Sequence, residues 1–141
     1  MDKIINFELD GNNTSKTLID RYSPSHITHG VLFYFIFENI HFTRKYSLIF
    51  TIIFEILWEY FENTPYIINK YRQNPEYNDY KGDSYINIIG DIIFTILGFY
   101  IAKYSQRASI ILIIILEIIL WPFKANFLKL SFGSILKIHN N

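Results

Sequence analysis

Residues 80–98, YKGDSYINIIGDIIFTILG, decide the reading of the chain. They run from a soluble-looking loop into an apolar helix and carry Asp83, Asn87 and Asp91 in with them. An α-helix advances roughly 100° per residue. On that wheel Asp83, Asn87, Gly90 and Asp91 fall within about 100° of one another, and Phe94 and Gly98 extend the stripe. Ile88, Ile89, Ile92, Ile93, Ile96 and Phe99 take the rest of the circumference. A helix apolar over most of its girth, with one narrow line of acids and glycines, suits lipid on one side and packed protein on the other.

Three more apolar stretches flank this one, so spans are expected near residues 27–42, 46–62, 84–103 and 108–121. Ser23 followed by Pro24 reads as an N-cap with proline in the first helical position. Asp83 or Ser84 is the candidate N-cap of the third span, and Gly98 with Ala102 forms a small-xxx-small pair for close helix contact. The run ASIILIIILEIILW is too long for a buried strand and does not alternate; Pro122 ends it. The expected fold is all-α, a polytopic membrane helical bundle with four transmembrane helices in a single domain, 1–141. Residues 1–19 lack the apolar core of a signal peptide and read as a surface or interfacial tail. Residues 64–82 read as a long loop, and FLKLSFGSILKI near the C-terminus reads as a weakly amphipathic interfacial segment.

Composition narrows the function. Half of the 141 residues are hydrophobic, yet the mean hydropathy is only +0.16, so apolar stretches must alternate with polar ones. Formal net charge is zero, which argues against nucleic acid as a partner. Cysteine is absent, which excludes disulfides, thiolate catalysis and Cys-based zinc sites.

Four alternating spans put both termini and the long loop on one side. His26 and His29 then sit at the start of the first span, and Glu59, Glu62 and Asn63 at the end of the second. Asp83, Asn87 and Asp91 enter on the third, Glu117 lies near the end of the fourth, and Arg72 and Tyr80 are in the loop. The titratable groups of all four helices thus converge on one end of the bundle. Each has a blander reading. A His pair three residues apart is often structural, glutamates spaced like Glu55, Glu59 and Glu62 usually form a solvated face, and capping alone could explain Asp83. The apolar neighbours of the glutamates fit a solvated face badly. Desolvated carboxylates held close together must share protons, pair with His or Arg, or bind a cation.

The motifs SPSHITHG, WEYFENTPYIINKYR and YKGDSYINIIGD with the following LGF resemble those of uncharacterised protein family 0314, the domain of unknown function 2585. The resemblance runs from about Asp20 to the C-terminal tail, with departures at Thr64 and Ile88. It implies a multi-pass bacterial inner-membrane protein and brings no activity, substrate or catalytic residue. The general pattern is also reminiscent of the VanZ-like membrane proteins, a weaker analogy.

Three function classes follow. The first is a metal-dependent membrane enzyme acting on a lipid or lipid-linked substrate, with Zn, Mn, Mg or Fe as the divalent metal. There His26, His29, Asp83 and Asp91 are candidate ligands, and Glu59 or Glu62 the base for a metal-bound water. Asp83 and Asp91 stand with Glu59 and Glu62 as catalytic candidates, and Arg72, Tyr80, Asn87 and Asn63 as substrate-binding ones, Arg72 by holding a phosphate. The second is a proton- or ion-coupled transporter or binding protein, which at four short helices would need to form a homo-oligomer. The third is a structural bundle without catalysis. Lys and Arg are more numerous at the end bearing the termini, which leans towards a cytoplasmic placement of that end, although the opposite turns are short and a flipped insertion stays open.

Overall fold

The computed structural model describes residues 4–7, 15–73 and 77–133. Five α-helices carry the fold: α1 (Ser23–Asn39), α2 (Ser47–Glu62), α3 (Pro65–Tyr71), α4 (Tyr85–Tyr104) and α5 (Gln106–Leu120). Two short strands, β1 (Ile5–Asn6) and β2 (Ile19–Asp20), pair in parallel. A 3₁₀ turn over Arg44–Tyr46 joins α1 to α2, and a π-helical segment, Lys129–Gly133, ends the described chain. The four long helices lie close to the expected spans. Among the described residues, α4 is the helix long and apolar enough to cross a membrane by length and composition.

The local starts differ in detail from expectation. Tyr22, not Ser23, is the N-cap of α1, and its side chain makes no cap bond. Asp20 does that work instead, its Oδ1 accepting from the Tyr22 and Ser23 amides at 2.7 and 3.0 Å. Ser84 is the N-cap of α4, its Oγ accepting from the Asn87 amide. The stretch expected as pure loop contains α3, which Pro65 starts directly after Thr64.

α1 and α4 form the central pair, and two glycines set their distance. A Cβ at Gly98 would fall on the Ile27 carbonyl oxygen, and one at Gly30 on the Thr95 carbonyl oxygen, both well inside van der Waals contact. The backbones therefore touch, which only glycine permits at both points. Around this seam Ile27, Val31, Tyr34, Phe99 and Ala102 form the apolar core, with Phe94, Leu112 and Leu116 packed against it. Phe99, which the helical wheel puts outside the stripe of acids and glycines, is buried against Tyr34 in an edge-on ring contact at 5.3 Å.

The N-terminal segment is also corrected. Its described part is tucked in, because β2 pairs with β1 and the Leu18 carbonyl lies where a Cβ on Gly90 would be. The Ser84 amide donates to the Ser15 carbonyl at 2.8 Å. Residues 1–3 and 8–14 of the expected N-terminal tail and residues 134–138 of the expected interfacial segment lie outside the described residues.

The distribution of polarity is inverted. Among the described residues twenty polar or charged ones are buried, against eight hydrophobic ones. Outward-facing isoleucines and leucines of α2, α4 and α5 remain exposed, from 45% at Ile53 to 67% at Ile118.

Candidate functional site

The polar interior is organised by α2. Glu55, Glu59 and Glu62 recur at helical spacing, so one face of an otherwise apolar helix points three carboxylates at α1 and α4. Glu55 is fully buried and holds two imidazoles: its Oε1 is 2.6 Å from His26 Nδ1 and its Oε2 is 2.8 Å from His29 Nδ1. An ionised carboxylate only accepts, so both Nδ1 atoms carry hydrogen and the Nε2 atoms are left to face other partners. The two rings meet edge-on at 4.8 Å, and Trp58 and Phe127 close on His29, each at 5.2 Å.

His26 Nε2 points towards Asp91 of α4, 3.8 Å from its Oδ2, too far for a hydrogen bond. Glu59 Oε1 stands 3.6 Å from His26 Nδ1. Glu59 and Asp91 are only 2% and 4% exposed, and among the described residues both Glu59 oxygens and Asp91 Oδ1 have no hydrogen-bond partner. Buried acceptors left in this state are costly unless a positive charge lies among them. Among the described residues three groups of side chains could hold a metal ion: His26, His29 and Glu55; His26, Glu59 and Asp91; and Glu59, Glu62 and Asp83. In the first, the carboxylate is already engaged by both imidazoles. That arrangement suits a carboxylate orienting metal-binding histidines from behind.

Above this cluster opens a cleft of about 690 Å³, counting the space at its open mouth. Ser25, His26 and His29 of α1 line it, as do Trp58 and Glu62 of α2 and Asn87 and Asp91 of α4. Tyr71, Tyr77, Tyr80 and Asp83 form one wall, and Ser15, Asp20 and Tyr22 another. Leu130 and Ser131 reach in from the C-terminal segment. Among the described residues that line it there is no Lys or Arg.

Several lining groups are tied to one another. Glu62 Oε1 accepts from the Tyr71 hydroxyl at 3.0 Å, and Asp83 Oδ1 from the Tyr80 hydroxyl at 2.9 Å. Burial, reinforced by the Asp83 and Glu62 carboxylates, holds the Tyr80 phenol well above its ordinary range, so it stays a neutral donor. Burial and the adjoining Tyr77 do the same for Tyr22, whose hydroxyl donates to that of Tyr77 at 2.7 Å. Asn87 donates through Nδ2 to the Thr17 carbonyl at 3.1 Å and to Asp20 Oδ2 at 3.4 Å, which binds the N-terminal segment to α4.

Of the residues singled out in the sequence, His26, His29, Glu62, Tyr80, Asp83, Asn87 and Asp91 meet around this one cleft. Glu59 does not line it and lies behind, against His26. Arg72 is exposed and absent from the lining; its Nε donates to the Tyr80 carbonyl at 2.6 Å, so it braces the loop rather than facing a substrate. Asn63 is likewise a clamp. Its Nδ2 donates to the Glu59 carbonyl and to Asp83 Oδ2, and its Oδ1 accepts from the Asp83 amide at 2.6 Å. Glu117 does not join the cleft either: it accepts from the Phe127 amide at 2.8 Å and from Asn126 Nδ2 at 2.9 Å, anchoring the C-terminal segment. Sequence reasoning missed Glu55 as a site member, although its spacing from Glu59 and Glu62 carried the signal. It also missed Tyr22, Tyr71 and Tyr77, for which no pattern existed.

Residues 2–132 match the family model described as "Protein of unknown function (DUF2585)". The chain is 38% identical over 109 residues to a UPF0314 protein of Agrobacterium fabrum, an alignment covering 74% of this chain and 54% of the relative. It is 37% identical over 107 residues to a UPF0314 protein of Rhizobium meliloti, with the same two coverages. A UPF0314 protein of Paracoccus denitrificans is 30% identical over 142 residues, 87% of this chain and 74% of that one. The chain thus spans about half the length of the first two relatives. No solved structure matches it.

Proposed function

The chain belongs to the DUF2585 family, and we propose that it is a four-span bacterial inner-membrane protein whose buried His/Glu/Asp cluster binds a divalent cation and serves an enzyme acting on a lipid or lipid-linked substrate. The single observation that carries the cation is the unsatisfied trio of buried oxygens on Glu59 and Asp91 beside an imidazole whose other nitrogen is held by Glu55. His26, Glu59 and Asp91 would hold it, a mixed nitrogen and oxygen set that suits Mn, Fe or Zn. Such an ion would polarise a substrate oxygen or a bound water.

The chain's own groups do the rest. Glu55 fixes both ring orientations, so the imidazoles need no rearrangement on binding. Tyr71 and Tyr80 line the cleft and give their hydroxyl hydrogens to Glu62 and Asp83, which fixes those two carboxylates at the wall. The membrane reading is supported by the inverted polarity: exposed isoleucines on α2, α4 and α5 surround a polar interior, the arrangement that hydrocarbon solvent favours. A lipid substrate is favoured because the cleft sits at one end of this apolar belt.

A second reading has its own support. The cleft carries acids without Lys or Arg, which suits passage of a cation or proton better than tight binding of a phosphate. Two measurements separate the readings. Metal content of detergent-purified chain should be stoichiometric and fall with His26→Ala; an unloaded chain that takes up no Mn²⁺ or Zn²⁺ would sink the cation centre. Reconstituted vesicles should show no pH-driven cation flux, and flux would favour the transporter. Release of the expressed chain by a carbonate wash would end the membrane reading.

A further inference from the structure

We propose that the cluster is a two-cation centre with Glu59 shared between the two positions, an inference that rests on the cation-binding reading above. Glu59 belongs to both acid groups that face the cleft end of the bundle: one with His26 and Asp91, the other with Glu62 and Asp83. Within each group the ligand atoms lie within 4.8 Å of one another. Glu59 is nearly fully buried, and neither of its oxygens has a hydrogen-bond partner among the described residues. A carboxylate with two unpartnered oxygens between two sets of donors matches the bridging ligand of paired-metal sites, whose ions sit about 3.5–4 Å apart.

Charge points the same way. Glu59, Glu62, Asp83 and Asp91 carry four negative charges when ionised, and among the described residues no Lys or Arg lines the cleft they adjoin. One divalent cation offsets two of the four and a second offsets the other two, with Glu55 left to the two imidazoles that it holds. The inner position has one imidazole and two carboxylates, the outer three carboxylates. Such oxygen-rich sets favour Mn²⁺ or Mg²⁺ over softer-ligand metals. Both positions open on the cleft, the inner one through His26 and Asp91 and the outer one through Glu62 and Asp83, with the shared Glu59 behind them; the outer position is the less enclosed, since Glu62 and Asp83 are only half-buried.

The test uses the full chain in detergent, stripped with chelator, reloaded with Mn²⁺ and desalted. We expect two Mn²⁺ per chain, with the electron paramagnetic resonance spectrum of an exchange-coupled pair. Glu62→Gln should retain one and show the six-line spectrum of an isolated ion. One Mn²⁺ per unmutated chain would overturn the paired centre and leave the single-cation reading standing. None would overturn both. Two uncoupled ions would overturn the sharing of Glu59. If Glu62→Gln fails to fold, judged by tryptophan fluorescence, the count and coupling of the unmutated chain decide alone.

Discussion

Glu55→Gln tests the centre at its support. The carboxylate accepts from His26 Nδ1 at 2.6 Å and from His29 Nδ1 at 2.8 Å, in full burial. The amide keeps one oxygen acceptor and turns a donor towards the other ring. One charge-assisted hydrogen bond, worth about 1.5–3 kcal/mol, is lost, and the other becomes a neutral one worth about 1 kcal/mol. The expected destabilisation is about 3 kcal/mol, on the order of 10 °C in melting temperature for a chain of this size. The ring facing the new donor must accept on Nδ1 and move its hydrogen to Nε2. If that ring is His26, the lone pair aimed towards Asp91 is gone, and cation affinity should fall by roughly 10–100-fold. Thermal unfolding in detergent and a Mn²⁺ titration read the two effects separately. Lowered stability with unchanged affinity would mean that Glu55 only braces the core. Both unchanged would refute the doubly accepting carboxylate.

Gly98→Ala places a Cβ on the Ile27 carbonyl oxygen and should cost about 3 kcal/mol or more, since backbone cannot yield as a side chain can. Ile93→Leu, on an exposed position of the same helix, should be nearly neutral, and equal melting temperatures for the two would show the α1–α4 seam to be misassigned. Glu117→Ala removes the acceptor of the Phe127 amide and of Asn126 Nδ2, so hydrogen exchange at Phe127 and Leu128 should accelerate while α4 stays protected. Tyr80→Phe deletes the hydroxyl that donates to Asp83 and should cost about 1 kcal/mol; a larger loss, seen as unfolding of α4, would mean that the bond organises the loop.

The order and approximate limits of the four long helices were legible because apolar runs and their stops are local properties, whereas the short α3, which has no apolar run, was read as loop. Ser84, Pro65 and Pro122 mark boundaries through their own backbone chemistry, and Asn87, Gly90, Asp91 and Gly98 announce one face through the helical period alone. Topology then brought His26, Glu62, Asp83 and Asp91 to the same end, since alternating helices fix depth without knowledge of packing. Partnership could not be read this way. Glu55, Glu59 and Glu62 look equivalent on a wheel, yet Glu55 is consumed by two imidazoles, Glu59 has no hydrogen-bond partner among the described residues, and Glu62 is held by Tyr71. Asn63 and Arg72 carry the right chemistry for a substrate but spend it on Asp83 and on the Tyr80 carbonyl. The sequence by itself determined which residues share a helix face and a depth. Only the tertiary structure decided which side chains meet, because that depends on the rotation of each helix about its axis, set here by glycine contacts between backbones far apart in the chain.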